Sequence, residues 1–134
     1  MKHVKPLSLN SCMEMHIRIH DQNGLQVAEI SSDGLLIREI QDGVNLVGEA
    51  YFQGFDRIIL HETNITPDFF DLKNGIAGEI LQKFSNYRIR LSIVGDFSKY
   101  TRKSIRDFIY ESNKTGRITF VGSVEEAIEL LSGR

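Results

Sequence analysis

The sequence predicts a single α/β domain with a mostly parallel sheet, an N-terminal antiparallel hairpin and about four helices. Two strand-like segments flank Asn23-Gly24, a dipeptide typical of tight hairpin turns. From Ile40 onward, helical and strand-like segments alternate to the end of the chain, which favours a parallel sheet covered by helices. The length of 134 residues suits one hydrophobic core. We therefore expect one α/β domain over residues 15–134, preceded by a flexible leader at residues 1–14.

The composition is that of an ordinary globular protein, with a net charge of -2. This charge excludes a global field that recruits nucleic acid. No apolar run approaches the about 20 residues that a membrane helix requires. The one cysteine, Cys12, rules out an internal disulfide framework and is interpreted as incidental. We expect a cytoplasmic protein that needs no cofactor and binds neither nucleic acid nor a membrane.

The first elements form the hairpin. Residues 16–20 alternate apolar and polar side chains, and residues 25–30 return as the second strand. Ile40, Val44, Val47 and Tyr51 then recur at helical spacing and predict the buried face of the first helix. Residues 58–60 are apolar without alternation, as in a strand buried on both faces.

The remaining elements follow in alternation. Apolar residues at helical spacing over 76–84 predict the second helix, and residues 89–94 predict the next strand. A third helix ends near Gly116, and residues 118–121 form the last strand. Ser123 and Glu126 have the spacing of a capping box at the start of the final helix.

The segment between the 58–60 strand and the second helix holds most of the candidate chemistry. In an open α/β sheet, ligands bind beyond the carboxyl ends of the strands. This loop begins there, and so does the loop that contains Asp96. Converging carboxylates would suit a hard cation or acid–base work. The candidate catalytic residues are His61, Glu62, Asp71 and Asp96, and the candidate metal ligands are Glu62, Asp68, Asp71 and Asp96.

Structural roles explain the same residues at least as well. Thr66, Pro67 and Asp68 have the pattern of a helix start, with a cap, a proline at the first position and an acid near the dipole. Asp71 would face the free N–H groups near Asn74 and Gly75, and His61 would be hydrogen-bonded at the strand end. We favour these structural roles over catalysis or metal binding.

Three aromatic residues, Phe69, Phe70 and Phe97, are ambiguous. Exposed, they would form an anchoring patch for a partner; buried, they would cover the end of the core. We expect burial, with an interface as the alternative. The basic cluster Lys99, Arg102, Lys103 and Arg106 would suit phosphate ligands, but a solvated helix surface is favoured because the overall balance is acidic.

Two stretches resemble the STAS-like fold of sulfate transporters and anti-sigma-factor antagonists. They are the strand, loop and helix start over residues 58–76, and the tail from Leu91 to Ala127. The segments 60–72 and 95–100 resemble the hallmark of a bacterial family, domain of unknown function 4180. Regulatory STAS domains carry a phosphoacceptor serine two residues before the glycine that matches Gly75. Lys73 stands there, so the resemblance implies no phosphorylation switch of that kind.

The functional expectation is a non-enzymatic regulatory binding module. It would recognise a protein partner or a small ligand through the 62–75 loop and the following helix, using Glu62, Asp68, Phe69, Phe70, Asp71, Lys73, Asn74 and Gly75. The alternative is a small enzyme or metal-dependent protein that uses the acidic cluster. A homodimer built on the same loop is compatible with the first hypothesis. No Gly-rich phosphate loop, nucleophile elbow or cysteine pair is present.

Overall fold

A computed structural model describes residues 2–10 and 13–133, with side chains from Met15 onward. Cys12 lies outside the described residues. The strands are β1 (Lys2–Asn10), β2 (Met13–Gln22), β3 (Leu25–Ser31), β4 (Arg57–His61), β5 (Arg90–Val94) and β6 (Ile118–Val121). The helices are α1 (Ile40–Gln53), α2 (Ile76–Asn86), α3 (Lys103–Thr115) and α4 (Val124–Ser132). The predicted α/β class, the hairpin and the four helices are confirmed.

The strands lie in the sheet in the same order as in the chain, from β1 to β6. The pairs β1–β2 and β2–β3 are antiparallel, and the pairs from β3 to β6 are parallel. Asn23 and Gly24 both have positive φ angles of 55° and 79°, as the predicted turn between β2 and β3 requires. The carboxyl ends of β4, β5 and β6 therefore meet at one edge, where the 62–75 loop begins.

Strand β1 differs from the expected leader at residues 1–14. The backbone of Lys2–Asn10 pairs with β2, so this segment extends the sheet by one edge strand. Pro6 is tolerated there because an edge strand leaves half of its N–H groups outside the ladder. Backbone pairing needs no apolar periodicity, which is why the sequence pattern did not indicate it. The flexibility of these residues stays a prediction.

The two faces of the sheet carry different helices. Alternate residues of a strand point to opposite faces, and Ala28 and Ile58 belong to the larger core that contains the buried residues of α1, α2 and α3. Their neighbours Val27 and Ile59 pack instead with Ala127 of α4. Of the described helices, α1, α2 and α3 therefore cover one face, and α4 covers the other.

The buried face of α1 differs from the predicted one. Val47 is buried as expected, but Tyr51 is 61% exposed, and Leu46 and Ala50 occupy the core instead. The reason is Gly43: a Cβ atom there would lie 2.6 Å from the side chain of Ile80 on α2. The two helices meet at this glycine, so the buried face of α1 contains Gly43, Leu46, Val47 and Ala50, and Tyr51 lies outside it.

The start of α4 has half of the predicted capping box. The hydroxyl of Ser123 accepts a hydrogen bond of 3.1 Å from the N–H of Glu126. The Glu126 carboxylate accepts from the N–H of Gly122, at 3.3 Å, where the box would have placed the N–H of Ser123.

Candidate functional site

The 62–75 loop is built from three short 3-10 turns, Glu62–Asn64, Pro67–Phe70 and Leu72–Asn74. Its start is fastened to the segment before α1. The Asn64 amide donates 2.8 Å hydrogen bonds to the carbonyls of Ser32 and Gly34, and Ile65 forms a parallel bridge with Ile37. The backbone here is paired as well, because the carbonyl of Asn64 accepts from the N–H of Ile37 and the N–H of Thr66 donates to the carbonyl of Ile37.

The outer side of the loop carries the charged residues. Pro67, Asp68, Asp71, Lys73 and Asn74 are all exposed. The predicted cap is confirmed, because the Thr66 hydroxyl accepts from the N–H of Asp68 at 3.3 Å. Asn74 donates to the carbonyl of Asp68 and accepts from the N–H of Ile76, so its amide already has structural partners.

Phe69 and Phe70 are buried, with 1% and 6% of their surfaces exposed. Phe70 stacks on Tyr100 at a centroid distance of 4.5 Å and contacts Phe69 at 5.0 Å. Phe97 is partly buried and packs beside them, 5.9 Å from Phe70. Burial is therefore confirmed. The use of Phe69 and Phe70 as exposed partner contacts is wrong, because their rings close the end of the core.

Glu62 joins the loop to the β5–α3 connection. Its Oε2 atom accepts from the Tyr100 hydroxyl at 2.9 Å and lies 2.7 Å from the Lys99 ammonium. The Glu62 side chain is only 9% exposed, so both partners compensate a nearly buried carboxylate. Burial, followed by the hydrogen bond to Glu62, raises the pKa of Tyr100 well above its usual range.

Gly95, at the end of β5, allows Glu62 to lie this close. A Cβ atom on Gly95 would be 2.5 Å from the Glu62 Cβ. We expect Gly95→Ala to lower the free energy of unfolding by at least about 1 kcal/mol, because the added methyl group displaces Glu62 from Lys99 and Tyr100. Urea denaturation of the variant measures this loss.

Gly122→Ala is the matched control for Gly95→Ala. Gly122 follows β6 as Gly95 follows β5, but a Cβ atom there meets nothing within 4 Å. The control is expected to change stability by less than about 0.5 kcal/mol. Equal losses in the two variants would mean that the contact with Glu62 is not the cause.

The predicted acidic residues have different partners and do not form one cluster. Asp71 lies 3.7 Å from the Arg102 guanidinium. Asp96 accepts from the hydroxyl and the N–H of Ser98, and these hydrogen bonds hold the pKa of Asp96 below its usual range. Among residues 15–133, whose side chains the structure describes, no group of three or more His, Cys, Asp or Glu is arranged to hold a metal ion.

His61 belongs to a cluster that the sequence did not indicate. The Glu29 carboxylate lies between two imidazoles, 2.8 Å from Nε2 of His20 and 2.6 Å from Nε2 of His61. The Glu29 side chain is 15% exposed. The hydrogen bond from His61, supported by the one from His20, lowers the pKa of Glu29 to about 2 against the effect of burial. This trio joins β2, β3 and β4 through side chains.

A comparison with known protein families matches residues 22–131 to Domain of unknown function (DUF4180). The chain belongs to this family. The resemblance of segments 60–72 and 95–100 to that family is thus confirmed. No curated protein and no solved structure matches the chain.

One shallow groove of this DUF4180 domain flanks the 62–75 loop, and a second is lined by residues outside the loop. One has a volume of about 280 Å³ and lies between the loop and the β5–α3 connection, with Asp71, Lys99 and Arg102 in its walls. The other, of about 370 Å³, runs between α2 and α3. Among the described helices, none combines the length and apolar composition that crossing a membrane requires.

Proposed function

We propose that this DUF4180 domain is a non-enzymatic binding module that recognises a protein partner. The contact surface, called here the loop–helix surface, consists of the outer side of the loop and the adjoining face of α2. Its exposed residues are Pro67, Asp68, Asp71, Lys73 and Asn74 of the loop, with Gly78, Glu79 and Gln82 of α2. One observation carries the proposal: the loop is held firmly on its inner side and leaves its charged outer side free of the core.

The firm attachment favours recognition because little conformational entropy is lost on binding. Asn64 and Ile65 fasten the loop to the segment before α1, and Phe70 and Glu62 fasten it to Tyr100. A preorganised surface binds more tightly than a mobile one with the same contacts. A catalytic loop would need convergent reactive groups, whereas these inner contacts use the polar side chains structurally.

The groove between α2 and α3 extends the loop–helix surface. Leu81, Phe108 and Ile118 give it apolar walls, and Gln82 and Glu111 are among its polar residues. Such a groove suits an apolar side chain of a partner.

The charged residues of this region indicate which charge the contacting segment of a partner carries. On the loop–helix surface itself Asp68, Asp71 and Glu79 are exposed acids and Lys73 is an exposed base. Lys99 and Arg102 are exposed bases on the far side of the adjoining groove. Electrostatic complementarity favours a basic partner segment.

The STAS-like resemblance supports a regulatory role for the module. The order β5, α3, β6 and α4 is the closing strand–helix–strand–helix arrangement that the resemblance implies. Lys73 in place of the phosphoacceptor serine points to recognition without a phosphorylation switch. We include a cytoplasmic location in this proposal, which the low cysteine content supports.

A charge-swap variant tests the loop–helix surface. Asp71→Lys combined with Lys73→Glu keeps the net charge but reverses the local pattern. Proteins captured by the wild-type chain from cell extract are purified and titrated directly against it. We expect the swap to weaken a true partner about tenfold or more, because charged contacts at the rim are reversed.

The control exchanges charges elsewhere on the surface. Arg117→Glu combined with Glu129→Lys also keeps the net charge, and both positions are exposed. A partner that binds both double variants equally well, or loses affinity equally for both, contradicts the proposed surface. A thermal shift with a divalent metal that vanishes in Asp71→Asn and Glu62→Gln would instead favour the metal-dependent alternative.

A further inference from the structure

Three exposed aromatic residues form a second surface, called here the aromatic end patch. Phe52 is 84% exposed, Tyr51 is 61% exposed and Tyr87 is 43% exposed. The rings of Tyr51 and Tyr87 pack edge to face with centroids 5.0 Å apart, which joins the end of α1 to the end of α2. Contiguous exposed aromatics of this kind mark association surfaces.

The aromatic end patch lies at the opposite end of the sheet from the 62–75 loop. α1 ends at Gln53, just before β4 begins at Arg57, and α2 ends at Asn86, just before β5 begins at Arg90. The patch is therefore near the amino ends of these strands, whereas the loop follows the carboxyl end of β4. Occupation of one surface leaves the other accessible.

α1 offers a flat path for a second helix beside this patch. Gln41, Asn45, Gly48 and Phe52 are exposed and recur at spacings of four, three and four, so they share one face. A Cβ atom on Gly48 would meet nothing within 4 Å. A helix can therefore approach the α1 backbone closely at Gly48, with Phe52 reaching beyond the crossing point.

The charges near the patch have both signs. Glu49 on α1 and Asp56 after it are acidic, and Lys83 on α2 and Arg88 after it are basic. Asp56 also lies 3.1 Å from Arg57 of the same chain. A two-fold axis brings the same surface of two copies together, so the acids of one copy can face the bases of the other. A partner of different sequence would more simply be selected by one dominant sign, as on the loop–helix surface.

We propose that a second copy of this chain covers the aromatic end patch and forms a two-fold symmetric dimer. The α1 helices cross near Gly48, and Phe52 of each copy packs against the Tyr51 and Tyr87 rings of the other. The dimer expected from the sequence used the 62–75 loop; the exposed aromatics place the contact at the other end of the domain.

Sedimentation equilibrium of the full chain over a range of concentrations tests the dimer. We expect twice the mass of one chain in the wild type, and at least about a tenfold weaker dimer in Phe52→Lys. Tyr110→Lys is the matched control, because Tyr110 is similarly exposed at 64% but lies on α3. The Asp71→Lys/Lys73→Glu variant should dimerise like the wild type, which separates this result from that of the proposed function.

Two results would overturn the proposal. One is a monomer at roughly 1 mM chain, the weak limit of specific association. The other is a dimer that Phe52→Lys and Tyr110→Lys weaken equally. A monomer whose aromatic end patch binds a different protein would also show that the occupant is not a second copy. Circular dichroism of each variant establishes that it remains folded.

Discussion

Phe70→Ala is expected to lower the free energy of unfolding by about 3–5 kcal/mol. Phe70 is 6% exposed. The centroid of its ring lies 4.5 Å from that of Tyr100, 5.0 Å from that of Phe69 and 5.9 Å from that of Phe97. Truncation removes these contacts and leaves a cavity where the loop meets the β5–α3 connection. Chemical denaturation followed by circular dichroism measures the loss.

The control for this prediction is Phe52→Ala. The same atoms are removed, but Phe52 is 84% exposed, so stability of the monomer should change by less than about 0.5 kcal/mol. Measurement at low protein concentration keeps dimerisation from contributing. A small loss in Phe70→Ala would contradict its place in the core and would restore it as a candidate partner contact.

Glu29→Gln is expected to lower the free energy of unfolding at neutral pH by about 2 kcal/mol, after allowance for partial solvent screening. The pKa of Glu29 is about 2 in the folded chain, below its ordinary value of 4.5. The ionised form of Glu29 therefore stabilises the folded chain. Its contribution is complete above about pH 4.5 and is lost as the pH falls towards 2. Glu29→Gln lacks this pH-dependent contribution to stability, because a glutamine side chain does not titrate.

Denaturation curves between about pH 2 and 7 check the sign of this effect. The difference between wild type and Glu29→Gln should be largest near neutral pH and should shrink in acid. Glu111→Gln, at an exposed position inside α3 and away from both helix ends, should leave the stability at neutral pH almost unchanged. A difference that stays constant down to pH 2 would mean that Glu29 acts through packing and not through its charge.

The sequence was sufficient to predict the elements from β2 to α4, because their signals are local. Asn23-Gly24 defines the hairpin, and the change of period at Ile40 marks the start of the helix-covered sheet. Thr66 and Ser123 were recognised as caps because each bonds to an N–H only two or three residues away. Burial of Phe69 and Phe70 was also expected, since phenylalanine is among the residue types most often fully buried.

The parts that were missed depend on relations between distant segments. The Glu29–His61 contact follows from the register of β3 against β4, which no local pattern encodes. The outward turn of Tyr51 depends on the packing of Gly43 against Ile80. The acids of the 62–75 loop share an edge of the sheet as expected, but their directions are set by partners such as Tyr100 and Arg102.

The sheet contains a narrow seam between its antiparallel and parallel halves. β3 and β4 are in register at two residue pairs, Ala28 with Ile58 and Glu29 with Ile59, whereas β4 and β5 are in register at five. The two halves share the larger hydrophobic core, to which Ile17, Ala28 and Ile58 all belong, but the backbone ladder between them is the shortest of the described sheet. The carboxylate of Glu29 bonds to His20 of β2 and to His61 of β4. Glu29 therefore reinforces the sheet with side-chain hydrogen bonds where its backbone ladder is shortest.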